Sequence, residues 1–273
     1  MSNFKNIIKN LIFSSLPDYV FIKIIPIVLP FFNPLRMGHK YIVEKQGNNF
    51  YSIGNNIEKL FFIGFKRIDR WLYPNGILKG SERMIVKYLP SNFKISKADV
   101  VVEVGANIGE FAIAMSNNGA NVYSFEPDAE VFKCLELNTF KSNNIILYPI
   151  ACSDHDGKVR FYLSSNDADS SVIPPEFYTS VLEVECLTLS TICFEKIKKP
   201  IRLLKVEAEG YEPEVLSTLN LCQENIQNIT VDAGPERFGK STKEDVSKLL
   251  VDNGYLISYK DDIVFGSKEG ITF

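Results

Sequence analysis

Apolar positions change their spacing along this chain, and the changes mark its parts. Near the start, Phe4, Ile7, Ile8, Leu11 and Ile12 recur at helical intervals with Asn6, Lys9 and Asn10 opposite, until Pro17 ends the pattern. Residues 19–32 are then almost wholly apolar, interrupted by Lys23, Pro26 and Pro30. A membrane-spanning helix needs about 20 apolar residues with few charges, and no small-x-small cleavage site follows the basic start. Residues 1–40 therefore read as an apolar helical extension, two short helices packing on the domain or a partner. The sharper alternative is a peripheral membrane anchor through residues 1–34, with lysines at the headgroups. Residues 41–73 alternate as short strands do, with turns at Gly47-Asn48-Asn49 and Gly54-Asn55-Asn56. Pro74-Asn75-Gly76 is a further turn, and residues 81–89 read as a helix, so 41–98 forms an N-terminal strand and helix subdomain.

From Asp99 to the end, strands and helices take turns, which argues for a parallel sheet. Strands are expected at 100–104, 121–125, 145–151, 202–208 and 226–232. Helices are expected at 109–117, after Asp128 as cap, at 190–196, 213–219 and 242–252. A hairpin or insertion (158–163, 181–187) follows the third strand, and a closing hairpin (255–259, 263–265) turns at Asp261-Asp262. The expectation is an α/β fold over 99–273: a Rossmann-like sheet of the class I methyltransferase plan, mostly parallel with a C-terminal antiparallel hairpin, preceded by the N-terminal extension.

The formal net charge of −3 argues against a broad phosphate-binding face, so no nucleic-acid partner is expected. Cys134, Cys152, Cys186, Cys193 and Cys222 are scattered and odd in number, with no Cys-x-x-Cys. That fits a reducing, cytoplasmic setting and no structural zinc.

The chemistry concentrates at strand ends. Val101 to Glu110 reads Val-Val-Glu-Val-Gly-Ala-Asn-Ile-Gly-Glu: a buried strand, a glycine turn and the start of a helix. A dinucleotide fingerprint wants three glycines at offsets zero, two and five. Here Asn107 and Glu110 stand in the second and third places, a spacing that suits S-adenosylmethionine better than NAD. The strand at 121–125 ends in Glu126-Pro127, where a carboxylate accepts the two ribose hydroxyls of a nucleoside cofactor.

These segments resemble the FkbM-type methyltransferases, which depend on S-adenosylmethionine. The likeness is carried by Val102-Glu103-Val104-Gly105-Ala106-Asn107-Ile108-Gly109-Glu110-Phe111, Ser124-Phe125-Glu126-Pro127, Ala151-Cys152-Ser153-Asp154 with Gly157, and Leu204-Lys205-Val206-Glu207-Ala208-Glu209-Gly210-Tyr211-Glu212. Val231-Asp232-Ala233-Gly234-Pro235-Glu236-Arg237 is a further likeness. Together they span residues 80–260. The family often has aspartate where this chain has Glu103 and Glu207. The resemblance implies O-methylation, often of sugars or natural products.

On this reading Gly105 and Gly109 let the backbone approach the cofactor's amino-acid end, and the helix behind them offers free N–H groups to its carboxylate. Glu103 faces its ammonium group. The resemblance sets Asn107 beside the same moiety. Glu126 and Pro127 serve the ribose, and Ala151 and Cys152 border the adenine. The catalytic candidates are Glu207, Glu209 and Asp232. One could take a hydroxyl proton, or two could hold a divalent cation. The structural alternative pairs Lys205 with Glu207 and has Glu212 start a helix. His155 is a further base candidate, although Asp154-His155-Asp156-Gly157 reads most simply as a turn. Asp167-Ala168-Asp169-Ser170-Ser171 could hydrogen-bond a polyhydroxylated substrate, and Trp71 could stack on a sugar. The expected acceptor is a hydroxyl of a glycan or metabolite. The alternatives are an amine acceptor or cofactor binding without catalysis. The absence of Asp/Asn-Pro-Pro-Tyr after the fourth strand argues against amine-directed nucleic-acid enzymes.

Overall fold

The structure is a computed structural model that describes residues 42–46, 50–54, 59–63, 77–164, 170–175 and 178–273. The apolar segments at 1–40, His39, Trp71 and the loop acids Asp167 and Asp169 lie outside the described residues. Two units make up the chain, Met1–Gly80 and Ser81–Phe273. In the first, β1 (Ile42–Lys45), β2 (Phe50–Gly54) and β3 (Lys59–Ile63) form an antiparallel meander. Tyr51 and Ile53 of β2 and Leu60 and Phe62 of β3 are buried. Helix α1 (Ile77–Tyr88) straddles the boundary between the units.

The second unit is built on β4 (Val100–Val104), β5 (Asn121–Phe125), β6 (Ile145–Tyr148), β10 (Leu203–Val206), β11 (Asn228–Asp232), β12 (Leu256–Lys260) and β13 (Ile263–Ser267). They make one seven-stranded sheet in the order β12-β13-β11-β10-β4-β5-β6. β6, β5, β4, β10 and β11 are mutually parallel. β13 runs antiparallel to both β11 and β12, so the closing hairpin inserts its second strand beside β11. This is the class I methyltransferase sheet.

Every residue of β4 and of β10 is buried, as a central parallel strand covered on both faces requires. Period-two alternation divides them between two cores. Val102, Val104, Leu204, Val206, Ile229 and Val231 face one layer, with Val246 and Leu250 of α4 (Lys243–Asp252) packed on them. Val101, Val122, Leu203 and Phe265 face the other, against Tyr88 of α1 and Phe111, Ala112 and Met115 of α2 (Glu110–Asn117). Helix α3 (Ala129–Thr139) starts at Asp128, whose carboxylate accepts from the N–H groups of Glu130 and Val131.

The third strand departs from the expected 145–151. β6 stops at Tyr148, and the chain passes through Pro149, which has no N–H to continue a ladder. It resumes as β7 (Ala151–Ser153) in another sheet. There β9 (Tyr178–Thr188) lies between β7, which is parallel to it, and β8 (Gly157–Ser164), which is antiparallel. The helix expected at 190–196 is Leu189–Thr191 running into a wider coil, Ile192–Ile197. That expected at 213–219 is a chain of short turns, Glu212–Val215, Leu216–Thr218 and Leu219–Cys222. All five cysteines are free and buried. No helix among the described residues is long and apolar enough to cross a membrane.

Candidate functional site

The carboxyl ends of β4, β5, β10 and β11 lie side by side, and apart from Ala151 and Cys152 in β7 the candidate site residues sit near those strand ends or on the loops that leave them. After β4 the chain turns at Gly105 (φ 76°), Asn107 (φ 51°) and Gly109 (φ 95°) into α2. Close approach dictates Gly105, where a Cβ would lie 1.9 Å from the Glu207 carbonyl oxygen; at Gly109 the left-handed φ favours glycine, and a Cβ would also lie 2.7 Å from Leu135 Cδ1. The N–H groups of Gly105 and Ala106 both donate to the Phe125 carbonyl, each at 3.0 Å, which ties the turn to the end of β5.

Glu126 leaves β5 there and is buried. One carboxylate oxygen accepts from the Asn107 N–H and the other from the Asp128 N–H, each at 2.9 Å. Burial pushes its carboxyl up to about 7, against the stabilising backbone donors of Asp128 and Asn107. Each oxygen accepts one bond here and has a further lone pair for a hydroxyl donor. Pro127 follows and leads to the Asp128 cap. Ala151 and Cys152 are buried in β7, and Cys152 belongs to the apolar core. Burial raises its thiol well above the usual range, so it is an inert core cysteine.

Glu103, on the α1 and α2 side of β4, is buried. It accepts from Ser124 Oγ at 3.0 Å, with Lys205 Nζ at 3.6 Å. Burial raises its carboxyl to about 7, opposed by Lys205 and Ser124. Lys205, although in a central strand, is equally buried and donates to the Gly105 carbonyl and to Glu207 Oε2, each at 2.8 Å. Burial alone would lower its pKa, but Glu207 and Glu103 outweigh it and raise it. Its ammonium also stands 5.3 Å from the centre of the Tyr88 ring and 6.0 Å from that of Phe111.

The charges continue outward through a residue that the sequence pattern does not single out. Lys87 of α1 lies 3.3 Å from Glu207 Oε1 and 2.7 Å from Asp232 Oδ2. Signs alternate along Glu103, Lys205, Glu207, Lys87 and Asp232, and the Tyr88 hydroxyl accepts from Lys87 at 2.7 Å. Burial would raise the Glu207 carboxyl, yet Lys205 and Lys87 hold it well below the usual carboxylate range. Asp232 moves the other way: burial and the charge of Glu207 raise it, and Lys87 opposes them. Between these two acids, where a divalent cation was one expectation, stands the Lys87 ammonium. Among the described residues no group of three or more His, Cys, Asp or Glu side chains is arranged to hold a metal ion.

Glu209 is set apart from that chain of charges. The strand ends at Val206, and Glu209 takes φ 51°, lining a cavity of about 650 Å³ with Ser171, Ile173, Glu236 and Phe238. Ser171 Oγ holds the loop by donating to the carbonyls of Ala208 (3.2 Å) and Glu209 (3.0 Å). Glu212 starts the helix Glu212–Val215 and is buried beneath the loop. It accepts from the N–H groups of Ala208 and Gly210 and from Thr242 Oγ of the α4 cap, at 3.0, 2.9 and 2.8 Å. His155 lies in the exposed turn between β7 and β8. One ring nitrogen is 2.7 Å from Asp154 Oδ1, and the other 3.2 Å from the Lys158 carbonyl.

A sheet of this order with a glycine turn after its central strand defines a class I methyltransferase domain. The Methyltransferase FkbM domain matches residues 103–257, more than half of the chain. The chain belongs to the FkbM methyltransferase family, and it is an S-adenosylmethionine-dependent methyltransferase. No curated protein matches it. Among solved structures, Methanococcus jannaschii fibrillarin pre-rRNA processing protein is similar, with 12% identity and a TM-score of 0.44 over 85% of this chain and 99% of that one. Geobacter metallireducens GS-15 precorrin-6y C5,15-methyltransferase is similar with 12% identity and a TM-score of 0.42, over 70% and 89%. M. capricolum TrmK, solved with S-adenosylhomocysteine, shows 13% identity and a TM-score of 0.39 over 72% and 69%.

Proposed function

We propose that this methyltransferase transfers its methyl group to a hydroxyl of a glycan or hydroxylated metabolite. The observation that carries the donor half of the reading is Glu126: a buried carboxylate at the end of β5 that shares the Asn107 amide with the glycine turn of β4. A cis-diol on the donor's ribose has two donors to give it. Glu103, Gly105, Asn107 and Gly109 hold the amino-acid end, Pro127 fixes the approach to the ribose, and Ala151 and Cys152 close the adenine side with backbone and shape.

The acceptor half rests on what the nearby acids are free to do. Glu207 is held anionic by lysines on either side, so it is a weak base, and its part is to fix Lys205 and Lys87 at the sheet edge. Asp232 shares Lys87 and meets the Tyr88 hydroxyl at 3.4 Å, which makes a polar wall beside the reacting groups. Glu209 faces a cavity whose other walls combine carboxylate, hydroxyl, aliphatic and aromatic groups, a mixture suited to a compound with several hydroxyls. Residues 1–34 are proposed to contact a partner or membrane surface and take no part in donor binding.

The test is transfer of label from methyl-labelled S-adenosylmethionine into an extracted pool of glycans and metabolites. Label recovered as acid- and base-stable methyl ethers is the expected product. Label recovered on amines would contradict the oxygen acceptor.

A further inference from the structure

The cavity at the ends of β10 and β11 is lined by a second acid, Glu236. The loop after β11 runs Asp232-Ala233-Gly234-Pro235-Glu236-Arg237 and bends back at Phe238 (φ 53°) and Gly239 (φ 75°). Arg237 anchors it. Its Nε donates to the Gly210 carbonyl at 2.8 Å, and its guanidinium clasps both carboxylate oxygens of Glu214 at 2.5 Å. Gly210 is required at that junction, since a Cβ there would lie 2.9 Å from Arg237 N.

The two loops thus form one framework, and each lines the same cavity with a left-handed residue that is not glycine. Those residues are Glu209 at φ 51° and Phe238 at φ 53°. Backbone of this kind costs about 1–3 kcal/mol per residue and gathers at ligand sites. Phe238 is 70% exposed, an aromatic face open to whatever enters.

Glu236 lines the same cavity. The residue as a whole is exposed, but its carboxyl group folds back over Gly234. A Cβ on Gly234 would meet Glu236 Oε1 at 2.2 Å, so the missing side chain is what lets the acid lie there. We propose that this cavity receives the methyl acceptor, a compound with a hydroxyl group beside an apolar ring or chain face, and that Glu236 takes the proton from that hydroxyl. The inference rests on the methyltransferase reading above.

The acceptor oxygen forms its bond to the methyl carbon as the carbon–sulfur bond of the sulfonium donor breaks, its electron pair staying on sulfur. The hydroxyl proton ends on the Glu236 carboxylate and is later lost to water. The surroundings suit the task. Partial burial pushes the Glu236 carboxyl up to about 7, opposed by its own backbone N–H and helped by the charges of Asp232, Glu212 and Glu207. Glu209 shares the cavity. The nearby cations are committed elsewhere: Arg237 to Glu214, and Lys87 to Glu207 and Asp232. A carboxylate at that value accepts protons near neutral pH far better than an ordinary one.

Two variants and two readouts test this. With methyl-labelled S-adenosylmethionine and the extracted hydroxyl pool, Glu236→Gln should lower transfer about 10²–10⁴-fold and remove the rise in rate centred near pH 7. Donor affinity by calorimetry should be unchanged. Gly234→Ala keeps the acid but displaces it and should lower transfer as well. Carbon-13 NMR of the Glu236 carboxyl in unliganded protein needs no acceptor. The wild-type midpoint should lie near pH 7 and return toward the ordinary range in Gly234→Ala. A wild-type midpoint in the ordinary carboxylate range overturns the proposal in every case. Donor binding and transfer that are equal in wild type and Glu236→Gln overturn it alone. A wild type that binds no donor overturns the methyltransferase reading and this proposal with it.

Discussion

Gly105 shows how one residue can answer to both packing and chemistry. Its φ of 76° and the Glu207 carbonyl 1.9 Å from any added Cβ make it obligatory for joining β4 to β10, before any ligand is considered. In the sequence the glycine spacing is a cofactor signature, and in the fold the residue at its first position also closes the sheet edge. Gly105→Ala should therefore destabilise the protein by at least the about 1–3 kcal/mol of a strained backbone, measured by urea denaturation without ligand. Full stability with lost donor binding would mean that packing had been overrated. Lys87 was illegible for the opposite reason. A lysine in the last turn of an amphipathic helix looks like a solvated residue, and only the fold brings it to Glu207 and Asp232. Lys87→Gln should raise the Asp232 carboxyl further, because the nearest opposing cation is gone, and carbon-13 NMR of that carboxyl would register it. An unmoved Asp232 would mean the ion pair is too well solvated to matter.

Among the elements, the strands with unbroken apolar runs were the most legible. β4 and β5 fall on the residues where the pattern set them, and the Asp128 cap was readable from its position alone. The short elements were not. Pro149 divides one expected strand between two sheets, and the run from Glu212 to Cys222 breaks into separate turns although its buried residues Glu212, Val215, Leu216, Leu219 and Cys222 keep helical spacing. Glu212 looked like an ordinary helix-starting acid. It is a buried bracket between the Ala208–Gly210 loop and the cap of α4. Glu212→Ala strands the N–H groups of Ala208 and Gly210, at about 1–3 kcal/mol for each donor left unsatisfied. Chemical denaturation should show a loss of that order. A loss under about 1 kcal/mol would show that water replaces the carboxylate.

For the whole molecule, the buried acids set a pH dependence whose sign can be worked out. Glu103 and Glu126 titrate near 7 when folded and near 4.5 when unfolded. The folded state therefore binds more protons between those values, and stability falls as pH rises through that window. The raised His155 acts in the same direction at its upper end, since stability gained by a protonated histidine is lost as pH rises through its folded value. Glu207, Asp154 and Asp156 are lowered, so their contribution is lost only on acidification below that window. The unliganded protein should melt at a lower temperature at pH 7.5 than at pH 5.5, and Glu126→Gln should flatten the difference. A melting temperature that rises across this interval would contradict the burial of these acids.

The central claim is that the carboxyl edge of β4 and β5 holds S-adenosylmethionine, and titration calorimetry at neutral pH tests it most directly. Wild-type protein should bind S-adenosylmethionine and S-adenosylhomocysteine and fail to bind NAD. Glu126→Ala should weaken binding by about 1–3 kcal/mol, the cost of hydrogen bonds to a charged acceptor. Equal affinity in wild type and Glu126→Ala would contradict the ribose assignment, and absence of binding by a folded wild type would contradict the site.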